Sequence, residues 1–290
     1  MKSYKDCIPC FYKQARESAR IAGAKESQQK KIRDELAEIL KRYPMEECPP
    51  YMGRILYKIV SKVTGKKDPY EKIKRQSNKM ALSLYPELKR KIQDSPDRLL
   101  TAVILAIVGN IIDYGAKHSF DIDKEINDLW NPDFDIHNAH KKALFDYVSF
   151  KKALAKTDSI LYLADNAGEV VFDRVLIEEM DKKVTYVVRE NPIINDALKE
   201  DAITCGIGKI AKIISSGCDG PGVMLKYCNK KFLKLFNSAK MIISKGQGNF
   251  EALNNVKSRP IFFFFRVKCD VVGRRLGFEI GDMILKSNIR

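Results

Sequence analysis

The chain has 290 residues, 45% of them hydrophobic, and its 52 basic against 37 acidic residues give a formal net charge of +15. That is enough apolar material for a large core, arranged as one big domain or two of ordinary size. No run approaches the roughly 18 consecutive apolar residues of a membrane span, and the opening MKSYKDCIPC lacks the apolar stretch of a secretory signal, so a soluble, cytoplasmic protein is expected.

Seven cysteines, at 7, 10, 48, 205, 218, 228 and 269, are scattered and odd in number, which predicts reduced thiols instead of a disulfide framework. The basic balance raises the question of nucleic acid. Its short lysine pairs, such as Lys30-Lys31, Lys66-Lys67 and Lys230-Lys231, are dispersed among acidic residues, however, and no arginine-rich arm or aromatic RNA-binding motif stands out. A solvated lysine-rich surface accounts for this pattern, and a positive field suits small phosphorylated substrates equally well.

In chain order, the first half reads as helix after helix. Asp6 is placed to cap a helix carrying Cys7, Cys10, Phe11 and Gln14 along one side. Residues 27–42 repeat apolar positions at helical spacing (Ile32, Leu36, Ile39, Leu40), and 51–63 do the same after Pro49-Pro50. Asp68-Pro69 opens a further helix, read as ending at Pro86. Residues 97–114 are apolar nearly all round, which predicts a buried helix, and 133–155 supply one or two more.

The texture changes at Ser159. Apolar runs at 160–164, 184–188, 210–215, 241–244 and 260–265 alternate with helical patterns at about 169–180, 195–204, 223–236 and 250–255. This rhythm predicts an α/β fold: a helical N-terminal domain, 1–155, packed on a Rossmann-like, mostly parallel, doubly wound sheet domain, 156–290.

In such sheets ligands gather outside the carboxyl ends of the strands. The first strand stops at Asp165-Asn166 and turns through Ala167-Gly168 into a helix; the second is followed by Arg189-Glu190-Asn191-Pro192 and then Asn195-Asp196. The third leads into SSGCDGPG, with Asp219 and Gly220, and the fourth into KGQGN, with Lys245 and Gly246. Asp165, Asn166 and Asp196 offer three oxygen donors with no thiol or imidazole, a set suited to Mg²⁺ or Mn²⁺, with Co²⁺ or Ni²⁺ as further candidates. Singly, each residue is as well explained by a turn or a helix cap; jointly, at strand ends, they favour a metal. The two glycine loops offer backbone N–H groups and a lysine of the kind that cradle phosphate, although tight turns also require glycine. The first turn, ADNAGE, puts carboxylates where a dinucleotide's pyrophosphate would sit, which counts against a dehydrogenase.

Asn110 and Asp113, in GNIIDYG, are polar groups on one face of an otherwise apolar helix and must find partners, in the second half's loops or in the site itself. Cys7 and Cys10 with Cys48 could bind zinc but lack an obvious fourth ligand, so packing is the better reading; His137 and His140 are candidates only by position.

Taken together and in order, CIPC, GNIIDYG, LADNAGE, NPIINDA, SSGCDGPG, SKGQGNFE and VKCDVVGRRLG resemble the metal-dependent damage-control phosphatase family, also called domain of unknown function 89, in its prokaryotic branch with an N-terminal Cys-x-x-Cys. The resemblance spans essentially the whole chain. It implies a helical domain on an α/β domain, one divalent metal, and hydrolysis of phosphate monoesters of small metabolites such as sugar phosphates or phosphopantetheine-type compounds. It places the metal ligands on Asp165, Asn166 and Asp196 and the lysine near the phosphate on Lys245. Asn110, Asp113, Asp219, Gly220 and Gly246 remain as further catalytic or substrate-binding candidates. Glu190-Asn191 before Pro192 departs from the family's usual glycine and bears on the local loop shape. Two readings from other classes stand beside this one: a nucleic-acid-binding protein, suggested by charge alone, and an S-adenosylmethionine-dependent methyltransferase, suggested by the Rossmann-like half and the family's older label.

Overall fold

The computed structural model describes residues 1–111 and 146–288. Asp113, His137 and His140 lie outside the described residues. The first half contains α1 (Ile8–Ile21), α2 (Glu26–Leu40), α3 (Pro49–Thr64), α4 (Glu71–Gln93) and α5 (Arg98–Val108). Their limits follow local chemistry. Pro49 and Pro50 occupy the first turn of α3, where a missing N–H costs nothing, and Gly65 ends that helix at φ 71°. Asp97 caps α5 by accepting from the Leu100 N–H at 3.0 Å. Pro86 does not end α4 as the sequence suggests: the helix runs on to Gln93, because Leu88 and Ile92 beyond it are fully buried.

The second half contains α6 (Tyr147–Ala155), β1 (Ser159–Leu163), α7 (Glu169–Met180), β2 (Lys183–Val188), α8 (Lys199–Thr204), β3 (Lys212–Ser215), α9 (Lys230–Ser238), β4 (Ile242–Lys245), α10 (Gln247–Leu253), β5 (Ile261–Arg266), α11 (Asp270–Leu276) and β6 (Met283–Ser287). They form one six-stranded sheet in the order β3-β2-β1-β4-β5-β6, parallel except for the antiparallel edge strand β6. The five parallel strands match the apolar runs of the sequence. β6 and α11 have no counterpart in that reading, since a half-buried edge strand such as MILKS shows neither a long apolar run nor a turn signal.

Alternate residues of each central strand enter different cores, which is why the strands read as continuous apolar runs. Ile160, Tyr162 and Ala164 face a core shared with α4, α5, α6 and α7. Leu161 and Leu163 face one shared with α9, α10 and α11. Helices α1, α2 and α3 keep a third cluster of their own around Leu36, Met52 and Leu56. Two helical readings shift. The segment 195–204 is helical only from Lys199, so Asp196 sits in a loop, and 223–236 splits into a 3₁₀ turn (Leu225–Tyr227) and α9, which Asn229 caps at the Phe232 N–H, 2.8 Å away.

Candidate active site

The chain reverses its winding direction between β1 and β4, which places a crevice at their carboxyl ends. Asp165 and Asn166 leave β1 there. Gly168, at φ 80°, turns the backbone, and its N–H donates to Asn78 Oδ1 of α4 at 2.7 Å. The loop after β2 is tied directly to this turn: the Ala167 N–H donates to the Asn195 carbonyl and the Ala197 N–H to the Asp165 carbonyl, both at 2.8 Å. Asn166 and Asp196 thereby pair as an isolated antiparallel bridge. Three residues separated by up to 31 positions are brought side by side by backbone geometry alone.

Around them lies a closed hydrogen-bond network. Asn110, at the end of the α5 segment, donates from Nδ2 to Asp165 Oδ2 at 2.9 Å and to Glu169 Oε2 at 2.8 Å. Arg189, 2% exposed, donates from Nε to Asp196 Oδ2 at 2.6 Å and holds a second nitrogen 3.9 Å from Asp165 Oδ1. Asn249 ties the ends of β1 and β4 to the loop after β3: its Nδ2 donates to the carbonyls of Ala164 and Lys245, and its Oδ1 accepts from the Val223 N–H at 2.7 Å. Gly246 adopts φ 79°, and a Cβ there would lie 1.9 Å from Asp165 Oδ2, so this position requires glycine.

Burial, followed by the nearby charges of Glu169 and Asp196, pushes the Asp165 carboxyl well above the ordinary carboxylate range. Asn110 Oδ1 and one Arg189 nitrogen, Nη1, are buried without a hydrogen-bond partner. Two crowded, desolvated carboxylates beside a carboxamide make a donor set that a hard divalent cation fits, since Arg189 is the one cation within 4 Å of either carboxylate among the described residues and it sits on Asp196. Asp165, Asn166 and Asp196 line a cavity of about 270 Å³ between the sheet edge and helices α1 and α3, with Gly248, Pro221 and Lys268 elsewhere in its wall.

Lys245 is placed elsewhere than a phosphate contact requires. Its side chain is fully buried beneath the crevice, with Nζ 2.6 Å from Glu169 Oε1, 2.5 Å from Asp173 Oδ1 and 2.8 Å from the Ala106 carbonyl. Burial pulls its pKa down, but Asp173 and Glu169 outweigh that and raise it, which keeps Lys245 charged. Lysines that do line the cavity are Lys13 and Lys268. Asp219 pairs with Arg54 and Lys58 of α3 and does not line this cavity; Gly220, beside it, packs on the Met224 methyl group. Cys7 and Cys10 line the cavity together with Cys269, and burial pushes all three thiols up. Among the described residues, no three His, Cys, Asp or Glu side chains converge as a ready-made metal cluster.

Glu169, Asp173, Arg189 and Asn249 were not singled out from sequence as candidates for the site. A signal existed for two of them: Glu169 and Asp173 are spaced i, i+4 on the otherwise apolar inward face of α7. The phenolic hydroxyls of Tyr162 and Tyr186, fully buried, also donate to Asp173, at 2.7 and 2.6 Å.

No helix among the described residues is long and apolar enough to cross a membrane. The damage-control phosphatase ARMT1-like domain matches residues 3–284 of the chain. An uncharacterized protein of Methanocaldococcus jannaschii is 36% identical over 290 residues, covering 97% of this chain and 93% of that protein. A damage-control phosphatase of Pyrococcus horikoshii is 33% identical over 294 residues, covering 99% of both. The crystal structure of a DUF89 family protein from P. horikoshii superposes with a TM-score of 0.85 at 32% identity over 99% of each chain. With its fold, its sequence and the whole of its length in agreement, this chain belongs to the ARMT1-like damage-control phosphatase family.

Proposed function

We propose that this protein is a divalent-metal-dependent phosphatase that hydrolyses phosphate monoesters of small metabolites, with sugar phosphates and phosphopantetheine-type compounds as the classes to screen. The observation that carries the reading is the convergence of Asp165, Asn166 and Asp196 at the β1/β4 crevice, on the floor of a cavity of small-molecule size.

Asp165, Asn166 and Asp196 would hold the cation, Mg²⁺ or Mn²⁺ by donor type and Co²⁺ or Ni²⁺ as alternatives. When bound, it supplies Lewis-acid stabilisation of charge on the phosphoryl oxygens. The protein's own groups do the rest. Arg189 fixes the orientation of Asp196 through its 2.6 Å hydrogen bond, and Asn110 fixes that of Asp165. Lys268, in the cavity wall, balances the charge of an entering phosphoryl group. Gly246 and Gly248 let the Asp165 carboxylate and the Pro221 carbonyl, respectively, lie where a side chain would otherwise stand. Lys245 acts beneath the site, pairing with Glu169 and Asp173, and Glu169 accepts from Asn110 and Asn166.

The test is p-nitrophenyl phosphate hydrolysis by chelator-stripped protein, with each of Mg²⁺, Mn²⁺, Co²⁺ and Ni²⁺ added back, alongside Asp165→Ala and Asp196→Ala. Activity restored by metal and lost in both variants supports the reading. Full metal-dependent activity in Asp165→Ala would overturn the site.

A further inference from the structure

Asn110 of the helical half touches Asp165 directly; a second asparagine, Asn78, reaches the same loops through their backbone. Asn78 lies within α4 and is 3% exposed. Its Oδ1 accepts from the Gly168 N–H at 2.7 Å, and its Nδ2 donates to Asp201 Oδ1, also at 2.7 Å. Gly168 follows Asn166 by two residues. Asp201 turns its other oxygen to the Leu198 N–H, 2.9 Å away, and Leu198 follows Asp196 by two residues. One carboxamide thus holds the loop that carries Asp165 and Asn166 and, through Asp201, the loop that carries Asp196.

The position asks for one chemistry. A carboxamide accepts at one atom and donates at the other, which is what a backbone N–H on one side and a carboxylate on the other require. An apolar side chain of the same size would leave both partners buried and unpaired, and an aspartate would set a second negative charge against Asp201. Lys74, one turn earlier on the same face of α4, is also buried, with Nζ 2.8 Å from Asp68 and 4.0 Å from Asp201. The two loops meet each other through the Asn166–Asp196 bridge and its flanking backbone bonds. Asn78 adds a tie from outside the sheet, so the spacing of the loops is referred to a rigid helix.

We propose that Asn78 is a positioning residue for the metal site: it fixes where Asp165 and Asn166 stand relative to Asp196. This rests on the metal-dependent phosphatase reading above. Asn78 does not line the cavity, so it acts through the two loops and not on substrate. Groups that hold metal ligands in place typically change metal affinity by about 10- to 100-fold when removed. The effect of losing Asn78 is therefore carried by the cation and not by substrate affinity once the site is filled.

Calorimetric titration of chelator-treated protein with Mn²⁺ reads this without turnover. Asn78→Asp keeps an acceptor for Gly168 but opposes Asp201, and Asp201→Asn cannot serve both Asn78 and Leu198 as an acceptor. Each is expected to raise the Kd for Mn²⁺ by roughly 10- to 100-fold. Combined, the two substitutions exchange donor and acceptor along the same bond and leave acceptors for Gly168 and Leu198. The double variant should therefore return to within about threefold of wild type. Ile92→Ala is fully buried in the same helix, about 21 Å further along, and should lower the melting temperature with the Kd unchanged. The KM for p-nitrophenyl phosphate at saturating Mn²⁺ should be the same in all of them. An unchanged Kd in Asn78→Asp, or a double variant no better than either single, would overturn the positioning role while the metal site stood. So would a Kd raised equally by Ile92→Ala, which would mark the loss as general destabilisation. If Asn78→Asp does not fold, Asp201→Asn and the double variant decide by the same comparison. Wild-type protein that binds none of Mg²⁺, Mn²⁺, Co²⁺ and Ni²⁺ would overturn the metal reading and the positioning role together.

Discussion

Lys245 and Glu169 form an ion pair, 2.6 Å from Nζ to Oε1, and neither side chain reaches solvent. The pair links the last residue of β4 to the first residue of α7, and a second carboxylate, Asp173, closes on the same ammonium. It supports the carboxylate and carboxamide layer above it from below.

Removing the ammonium leaves two buried carboxylates without their cation. Lys245→Met is therefore expected to destabilise the fold by about 3–5 kcal/mol, measured by urea denaturation of metal-free protein. A lysine that only touched substrate would give unchanged stability and a raised KM instead.

Asp165 should behave in the opposite way. Its carboxyl is pushed well above the usual range by desolvation, Glu169 and Asp196, so without a cation the charged form opposes folding. Asp165→Asn in chelator-treated protein is expected to melt several degrees higher than wild type. Added Mg²⁺ or Mn²⁺ should raise the wild-type Tm and leave the variant's unchanged, as thermal melts with and without metal would record.

Gly246→Ala places a methyl group where the Asp165 carboxylate now sits, at a backbone φ of 79°. Shifting a reacting group's support by about 1 Å costs on the order of 100-fold in rate, and the positive-φ extended backbone (ψ 155°), a conformation nearly confined to glycine, adds about 1–3 kcal/mol of destabilisation. Steady-state kinetics beside a denaturation curve would separate the two effects.

Glu251 gives the pH dependence. Burial raises its carboxyl to about 7, against the partial relief given by the Gln247 amide, the Met1 amine and Lys268. Because the folded-state pKa is raised, its neutral form favours folding: the folded state binds the proton through the interval from the ordinary glutamate value to about 7, and stability falls as pH rises across it. Above that interval the full cost is present. Glu251→Gln keeps an acceptor for Gln247 and removes the titration, so it should flatten the stability profile between pH 5 and 8 and be more stable than wild type at pH 8 by roughly 3 kcal/mol.

Much of the architecture was written locally. Apolar runs that end in polar pairs marked the five parallel strands, and residues 169–180 read as the helix that forms there, because burial on both faces leaves a continuous apolar strand and helix periodicity needs only near neighbours. The three metal-ligand candidates were legible for the same reason: strand ends on one edge of a parallel sheet converge whatever the details of packing.

What only the tertiary structure decided is the fate of each charge. Lys245 lies two residues after Ile243, on the face that packs against α5 and α7, so strand parity turns its ammonium under the site and not into it. Whether that position could hold a lysine depended on Glu169 and Asp173 from α7 and a carbonyl from α5, 139 residues away. The same holds for Arg189 on Asp196 and Asn110 on Asp165. A sequence determines which groups are polar at a strand end; the free energy of burying them is set by partners that only the assembled fold brings within hydrogen-bond distance.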